Sequence, residues 1–291
     1  MALAWAKGPR QHGDRAAPAA GHTITAMTDI LTTDTLLSLD MPRFTEALRV
    51  APRFAGRPGI AKGGYLAGRL AGRLPPGTTV EVDLREPTPV DRDLTVSVDH
   101  TRQHVRLLDG DTLLAEARPA DASPLAPPTV DWAQAALAET NFPGRWDHPF
   151  PFCFGCGDRE HGDGLRIFPG PVGPRPGTFA ARWTPGPTDV TGDGAVPTEN
   201  VWAALDCPTG WVHHRPGGLA LLVRLVARLH RAARPCEDYV VVARDDGRTG
   251  RSGRRMLSRS AIYTRSGLLV ATAAATWIEV SPQRRPGMPR S

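Results

Sequence analysis

Two short stretches of the sequence carry residues whose types and spacing are those of chemical sites. Cys153 and Cys156 lie three positions apart in CFGCG, a spacing that occurs in zinc sites and in redox pairs. Asp206 lies among apolar residues in ENVWAALDCPTGW, where a carboxylate can serve as a general base or as a nucleophile. The chemistry open to each stretch depends on the elements that position it.

The CFGCG segment is interpreted as a structural turn. A structural zinc site needs four ligands, most often from two CxxC pairs, and the sequence adds only nearby His161 and the distant Cys207 and Cys236. A redox pair is followed directly by a helix, whereas glycine and charged residues follow Cys156. We therefore predict no metal and no cofactor, with a zinc half-site and a redox pair as the alternatives.

Composition limits the classes of function. The chain of 291 residues is 41% hydrophobic and 22% charged, which is typical of a globular protein with one large core or two ordinary ones. Arginine supplies nearly all of the positive charge, and the net charge is +5. This excess is too modest to indicate a nucleic-acid partner, but it suits a small ligand that carries phosphate. Four cysteines exclude a disulfide scaffold, and no apolar run approaches the roughly 20 residues of a membrane span. We expect a cytoplasmic protein with reduced thiols and no membrane partner.

A linker rich in proline and alanine divides the sequence. The predicted segments are a disordered leader (1–27), a first unit (28–123), the linker (124–150), a second unit (151–281) and a disordered tail (282–291). Met27 is a candidate for the true start, because recognisable patterning begins only after it. The linker is predicted to hold a short helix around Trp132–Leu137.

The two halves share one plan. In the first, Gly63-Gly64 opens a helix, and strand-like runs follow, two of them joined by an Asp109-Gly110 turn. In the second, a strand precedes a helix over residues 199–211, which the Pro208–Gly210 turn is expected to end, and further strands follow with a turn at Ser266-Gly267. Each half is therefore predicted to be α+β, with an antiparallel sheet wrapped around one helix, and the repetition indicates duplication.

Four segments in this order resemble the double-hotdog acyl-CoA thioesterase-like family. They are KGGYLAGRLAGRL, CFGCG with the GLRI that follows, WAALDCPTGW, and SAIYTRSGLLVATAAATWIEV. The resemblance covers about residues 43–281 and implies two tandem hotdog units, each an antiparallel sheet around a central helix. It also implies that CFGCG opens the second unit.

The resemblance implies where the chemistry of the family would lie. Such enzymes place a carboxylate on one central helix and backbone N–H donors at the start of the partner helix, where the helix dipole favours negative charge. The first helix has no acidic residue, so Asp206 is the expected base or nucleophile, and the amides of Gly64 and Tyr65 are the expected oxyanion donors. The alternatives are that Asp206 caps the helix end and that Gly63-Gly64 is a plain turn.

Further residues are predicted to bind the substrate. The acyl tunnel is expected to be lined by Tyr65, Leu66, Trp202 and Trp211, beside Gly63. The segment RDDGRTGRSGRRMLSR offers guanidinium groups for the phosphates of coenzyme A, with a solvated loop as the alternative. The candidates for this clamp are Arg248, Arg251, Arg254 and Arg255.

Two positions depart from the family. Leu222 and Ala275 align where such thioesterases carry a hydroxyl residue and a glutamine that orient water, and neither side chain can hydrogen-bond a water. Thr272, Thr276 or Ser260 are the candidates to compensate. His213-His214 and the other histidines are interpreted as surface residues or strand positions without a catalytic role.

These observations predict an enzyme of thioester hydrolysis, acting on an acyl-CoA or an acyl-carrier thioester. The alternative is a non-catalytic acyl- or lipid-binding module, which the two departures favour. A third interpretation is an interaction scaffold whose CxxC holds a metal with a partner chain. We expect no nucleic-acid partner, and further association into a homo-oligomer.

Overall fold

A computed structural model describes residues 43–187, 190–251 and 253–280. They all fall within the unit Asp40–Ser291. The leader (1–27) and the tail (282–291) predicted from the sequence lie outside the described residues. Within the described part of the chain, no helix is both long and apolar enough to cross a membrane.

The first half of the described chain contributes one α-helix and seven strands. The helix α1 spans Gly63–Ala71. The strands are β1 (Phe44–Leu48), β2 (Ala55–Arg57), β3 (Ile60–Ala61), β4 (Val80–Leu84), β5 (Leu94–Asp99), β6 (His104–Asp109) and β7 (Thr112–Pro119). The turn predicted at Asp109-Gly110 joins β6 to β7, and Gly110 has the positive φ of 57° that glycine adopts most readily.

The second half of the described chain contributes two α-helices and six strands, four of which have ten or eleven residues. Its elements are α2 (Trp132–Thr140), β8 (Gly170–Pro171), β9 (Thr178–Trp183), α3 (Thr198–Trp211), β10 (Ala220–Leu229), β11 (Tyr239–Thr249), β12 (Arg255–Thr264) and β13 (Leu269–Glu279). The predicted linker helix is confirmed as α2, where Asp131 caps the N-terminus by accepting a hydrogen bond from the Gln134 N–H. The turn predicted at Ser266-Gly267 is also confirmed, between β12 and β13.

One antiparallel sheet runs through both halves. Its strand order in the described residues is β1-β5-β6-β7-β4-β10-β13-β12-β11-β9-β8, and β2 pairs only with β3. The halves join where β4 pairs with β10, with Asp83 opposite Arg224 and Glu81 opposite Val226. The helices α1 and α3 pack against each other and against this sheet. The predicted α+β architecture is confirmed.

The two helices approach each other closely along α1. A Cβ atom placed on Gly68 would lie 2.4 Å from the Cα of Glu199 and 2.9 Å from the Cβ of Trp202. The core between helices and sheet is continuous, and it includes fully buried Leu66, Trp202 and Leu225. The absence of a side chain at Gly68 therefore allows the start of α3 to pack closely against α1.

The end of α3 differs from the prediction. The expected stop at Pro208–Gly210 is wrong, because the helix continues through Pro208 to Trp211. Hydroxyl groups of β12 bind the carbonyl oxygens there: Ser260 Oγ donates to Leu205 O (2.8 Å) and Ser258 Oγ donates to Thr209 O (2.8 Å). These tertiary hydrogen bonds anchor the last turns of α3 to β12.

The arginine-rich segment also differs from the prediction. It was expected to lie between strands, but β11 extends to Thr249 and β12 begins at Arg255. Arg248 on β11 pairs with Met256, and Arg255 on β12 pairs with Thr249. Both arginines therefore belong to a hairpin rather than to a loop.

Candidate functional site

A cavity of about 280 Å³ adjoins the first turn of α1 and the last turns of α3. Four of the residues predicted to act on or bind substrate line it, namely Gly63, Leu66, Asp206 and Trp211. The other walls come from the start of β10 and from the segment that holds CFGCG. These four residues therefore lie together at one cavity, and their part in binding or reaction stays a prediction.

Asp206 is the most constrained group at the cavity. Its side chain is fully buried, and its Oδ2 accepts a hydrogen bond from the Gly64 N–H (2.6 Å) at the start of α1. The same oxygen lies 2.5 Å from Lys62 Nζ. The other oxygen, Oδ1, has no hydrogen-bond partner among the described residues. One oxygen is thus held firmly while the other keeps its lone pairs free.

Lys62, which was not among the residues singled out from the sequence, lines the cavity beside Asp206. It immediately precedes α1 and is 7% exposed, and its backbone N–H donates to Phe54 O (2.8 Å). Burial alone would lower the pKa of Lys62, but the Asp206 carboxylate and the nearby cysteines hold that pKa well above its usual range. Lys62 and Lys7 are the only lysines in the sequence. A lysine before a glycine-opened helix in an arginine-dominated chain was the available indication.

The protonation of Asp206 is set by opposing influences. Burial raises the pKa of Asp206, and the Lys62 ammonium and the Gly64 N–H oppose this rise. A carboxylate with a raised pKa is a stronger base than an exposed one, which is the property that general-base catalysis uses. The pair also explains how a fully buried carboxylate is tolerated, since its charge is matched at contact distance.

The predicted oxyanion donor Gly64 and the predicted tunnel residues Tyr65 and Trp202 are all engaged within the protein. The Gly64 N–H points at Asp206 rather than at open space. The Tyr65 ring stacks on Phe54, with ring centroids 4.1 Å apart, and Trp202 is 2% exposed between the helices. The prediction that Tyr65 and Trp202 line the tunnel is therefore corrected: both side chains belong to the core, because they face the packed side of their helices.

The two residues that depart from the expected pattern have different surroundings. Leu222 lines the cavity, whereas Ala275 is buried in β13 opposite Ser258. Two of the hydroxyl residues considered as substitutes have other partners. Ser260 donates to a carbonyl of α3, and Thr272 Oγ1 lies 3.1 Å from His230 Nε2.

The histidines after α3 are not surface residues, and that interpretation is corrected. The side chain of His213 is 3% exposed and that of His214 is 16% exposed, and both residues line the cavity. The turn after α3 folds them inward, and His213 Nδ1 lies 3.5 Å from Asp245 Oδ1. Burial lowers the pKa of His213, although Asp245 opposes this shift. The side chain of His213 is therefore a buried group at the cavity wall.

The arginines predicted to clamp phosphate lie outside the cavity lining. Arg248 forms an ion pair with Glu279 (2.7 Å), and Glu279 lines the cavity. The other three, Arg251, Arg254 and Arg255, are exposed. The arginines that do line the cavity were not singled out from the sequence; they are Arg57, Arg85 and Arg215.

Three cysteines also meet at this cavity. The sulfurs of Cys153, Cys156 and Cys207 all lie within 4.8 Å of one another, and the three residues are buried. Hydrogen bonds with Cys156 and Cys207 lower the pKa of the Cys153 thiol well below its usual range. Cys207 follows Asp206 directly, so the carboxylate and the sulfur cluster are adjacent.

Comparison with known proteins identifies the fold. No family model matches the sequence, and no curated protein matches it. A conserved protein of unknown function with a hot dog fold from Alicyclobacillus acidocaldarius is similar in structure, with 13% identity, a TM-score of 0.54, and coverage of 84% of this chain and 96% of that one. The tesB protein of Mycobacterium avium subs paratuberculosis matches with 15% identity, a TM-score of 0.53, and coverage of 82% and 93% respectively.

The chain is a hotdog-fold protein. The antiparallel sheet around packed central helices and the similar structures agree on this. The predicted hotdog fold is therefore confirmed, whereas its division into two tandem units stays a prediction. Because one fold hosts many functions, the activity has to be argued from the site.

Proposed function

We propose that the chain hydrolyses an acyl thioester, with Asp206 as the base that activates water or as the nucleophile. The observation that carries this proposal is the state of the Asp206 carboxylate at the cavity wall. One oxygen is fixed by Lys62 and Gly64, and the other is buried without a partner. The free oxygen is available to a water or to a thioester carbonyl that enters the cavity.

Lys62 supports this chemistry in two ways. Its ammonium balances the buried carboxylate and opposes the rise in the pKa of Asp206 that burial causes. Its remaining N–H groups are donors close to Asp206, where negative charge develops on the carbonyl oxygen of a thioester. We propose that the Lys62 ammonium takes the place of the backbone oxyanion donors expected from the family, because the Gly64 N–H is already donated to Asp206.

The cavity lining supports an amphipathic substrate. Leu66, Leu222 and Trp211 supply apolar surface for an acyl group, and Arg57 and Arg215 supply positive charge. Guanidinium groups bind phosphate through paired hydrogen bonds, so they suit coenzyme A or the phosphopantetheine arm of an acyl carrier. The clamp of Arg248, Arg251, Arg254 and Arg255 stays a prediction for phosphates that extend beyond the cavity.

The duplicated plan of the chain supports a tandem arrangement. We propose that residues 28–123 and 151–281 each form a hotdog unit, so that Lys62 and Gly64 of one unit serve Asp206 of the other. The cysteines are free thiols, which suits a reducing compartment such as the cytoplasm. We expect these paired units to associate further as a homo-oligomer.

The direct test is release of free thiol from short, medium and aromatic acyl-CoAs, and from acyl-carrier thioesters. Wild type is expected to turn over at least one of them, and Asp206→Asn is expected to lose about 100- to 10,000-fold in turnover while still binding the substrate. Asp93→Asn is the matched control, because the Asp93 side chain is 74% exposed. Equal turnover by Asp206→Asn and wild type would refute Asp206 as the catalytic group.

A second candidate is a non-catalytic acyl- or lipid-binding module. Leu222 at the cavity favours it, because an apolar side chain stands where related thioesterases orient water. This candidate predicts acyl-CoA binding without thiol release by wild type, and an affinity that Asp206→Asn leaves unchanged. Turnover by wild type would exclude it.

A further inference from the structure

The CFGCG turn and α3 bring three sulfurs to one point. Cys153 and Cys156 come from the turn, and Cys207 comes from the helix more than fifty residues later. Cys153 Sγ lies 3.9 Å from Cys207 Sγ, and all three sulfurs lie within 4.8 Å of one another. The three residues are 4–5% exposed. The spacing CxxC therefore acquires a third sulfur only in the folded chain.

The distance between the sulfurs of Cys153 and Cys207 matches the distance between two sulfurs that bind the same metal ion. Sulfurs that each bind one Zn²⁺ at about 2.3 Å lie about 3.7–4.0 Å apart. The Cys153–Cys207 distance falls in this range and is far from the roughly 2 Å of a disulfide. Three thiolates around an ion therefore need only small side-chain adjustments.

The backbone of the CFGCG turn leaves room for the sulfur of Cys207 to approach the sulfurs of Cys153 and Cys156. A Cβ atom placed on Gly155, between the two cysteines of the turn, would lie 2.5 Å from Cys207 Sγ. A Cβ atom placed on Gly157 would lie 2.6 Å from the backbone nitrogen of Cys153. Glycine at these two positions lets the turn close around the sulfur of α3.

The groups around the cluster donate hydrogen bonds to sulfur. Trp211 Nε1–H donates to Cys156 Sγ (3.3 Å). His148 Nε2 lies 3.3 Å from the same sulfur, and His148 Nδ1 accepts from the Phe150 N–H (3.0 Å). Because Nδ1 is the acceptor, Nε2 of the neutral ring carries the hydrogen and donates it to Cys156. Two N–H donors on one sulfur are the outer-shell support that a metal-bound thiolate receives.

We propose that Cys153, Cys156 and Cys207 bind one Zn²⁺ through three thiolates, with a water from the adjoining cavity in the fourth position. Soft thiolate ligands favour zinc over oxygen-seeking ions. Binding releases the three thiol protons to solvent, and the buried ammonium of Lys62 offsets part of the resulting negative charge. The three cysteines and His148 line the cavity, which gives the fourth position access to water. The ion ties the CFGCG turn to the segment of α3 that carries Asp206.

This inference goes beyond thioester hydrolysis and does not depend on it. The first measurement is the zinc content of the purified full chain by elemental analysis. Wild type is expected to hold about one zinc per chain, and Cys207→Ser is expected to lose most of it. Cys236→Ser is the matched control, because Cys236 is exposed and lies outside the cluster. Zinc-free wild type that also fails to take up added Zn²⁺ would overturn the proposal, as would equal zinc in Cys207→Ser.

A second measurement uses wild type alone, so it holds even where a serine variant does not fold. Titration of the metal-depleted protein with Co²⁺ is expected to give a sulfur-to-cobalt charge-transfer band that saturates at about one equivalent. Absence of the band would contradict thiolate ligation. His148→Phe is expected to retain zinc, because the imidazole is a donor to Cys156 and not a ligand. Loss of zinc in His148→Phe would overturn the three-thiolate arrangement.

Discussion

At the scale of single residues, the Lys62–Asp206 ion pair is the feature whose energetics matter most for the site. Both side chains are buried, and their charged atoms are 2.5 Å apart. Removing charges from water costs several kcal/mol per ion, and the mutual attraction repays this cost only when both partners are present. The pair therefore contributes little net stability when intact, but the loss of either partner leaves an uncompensated charge.

We predict that Lys62→Met destabilises the protein by about 3–5 kcal/mol. The double variant Lys62→Met with Asp206→Asn is expected to recover part of this loss, because no buried charge remains. Urea denaturation at neutral pH measures both variants beside wild type and Asp206→Asn. A Lys62→Met variant as stable as wild type would mean that the pair is not buried in solution.

The sequence supported Asp206 but could not supply its partner. Asp206 stands out locally, because it is a carboxylate in an otherwise apolar helix. Lys62 and Gly64 reach it across more than 140 residues, and only the packing of α1 on α3 brings them together. The cysteine cluster was missed for the same reason, since Cys207 is distant in the chain and adjacent in space. Local pattern identifies a reactive side chain, whereas its partners are set by tertiary contacts.

At the scale of elements, the approach of α1 to α3 is what creates the site. Gly68 faces the first turn of α3, where the backbone of Glu199 leaves no room for a Cβ atom. Gly72 caps the C-terminus of the same helix with a φ of −63°, and a Cβ atom placed on it would lie no nearer than 3.4 Å to another atom. Gly68 and Gly72 are therefore a matched pair, of which only Gly68 is needed for the packing of α1 on α3.

We predict that Gly68→Ala destabilises the protein by about 1–3 kcal/mol, because the added methyl group forces the helices apart. Gly72→Ala is expected to be neutral, or to stabilise by up to about 1 kcal/mol, since alanine reduces the freedom of the unfolded chain. Thermal and urea denaturation of both variants provide the comparison. A loss of stability in Gly72→Ala equal to that in Gly68→Ala would remove helix approach as the explanation.

Within the first-half sheet, Glu116 on β7 connects neighbouring elements. Its carboxylate accepts from Arg85 Nε (3.0 Å), and His104 Nε2 lies 3.0 Å from its second oxygen. Burial would raise the pKa of Glu116, but the hydrogen bonds from Arg85 and His104 outweigh it and lower that pKa below its ordinary value of 4.5. A carboxyl with a lowered folded-state pKa stabilises the fold above its unfolded pKa, and this contribution is lost as the pH falls through the folded-state value.

We predict that Glu116→Gln narrows the difference in stability between neutral and acidic pH. The variant is expected to lose stability at pH 7, and progressively less as the pH falls through the lowered pKa of Glu116 and the wild-type carboxyl takes up its proton. Urea midpoints at both pH values measure this difference. Glu160→Gln, at an exposed position, is the control and is expected to follow wild type. An unchanged pH dependence in Glu116→Gln would exclude this linkage.

The strands and hairpins were the most predictable elements. Alternating apolar residues in β5 leave Leu94, Val96 and Val98 buried, and local turn chemistry set both hairpins. The end of α3 was not predictable, because the hydroxyls that bind its last carbonyls come from β12, about fifty residues later. Elements whose limits depend on neighbours along the chain can be found from the sequence, and those that depend on distant neighbours cannot.

At the scale of the whole molecule, the two halves share both their sheet and their core. The sheet passes from β4 to β10 without interruption, and this junction carries an ion pair of Arg224 with Asp83 (2.6 Å). The helix of each half is packed against that of the other. Separating the halves would expose the faces of α1 and α3 and an open sheet edge, at a large cost in apolar burial.

We therefore predict that the halves unfold in one cooperative transition. Tryptophan fluorescence reports on the second half, which contains Trp183, Trp202, Trp211 and Trp277. Hydrogen exchange of the β5–β7 amides reports on the first half. Both probes are expected to give the same urea midpoint, because neither half retains a closed core without the other. Lys62→Met and Gly68→Ala, which both act at the boundary between the halves, are expected to shift the two midpoints together. Earlier loss of β5–β7 protection, with the tryptophan signal still native, would mean that the second half is stable alone and that the shared core is not the source of cooperativity.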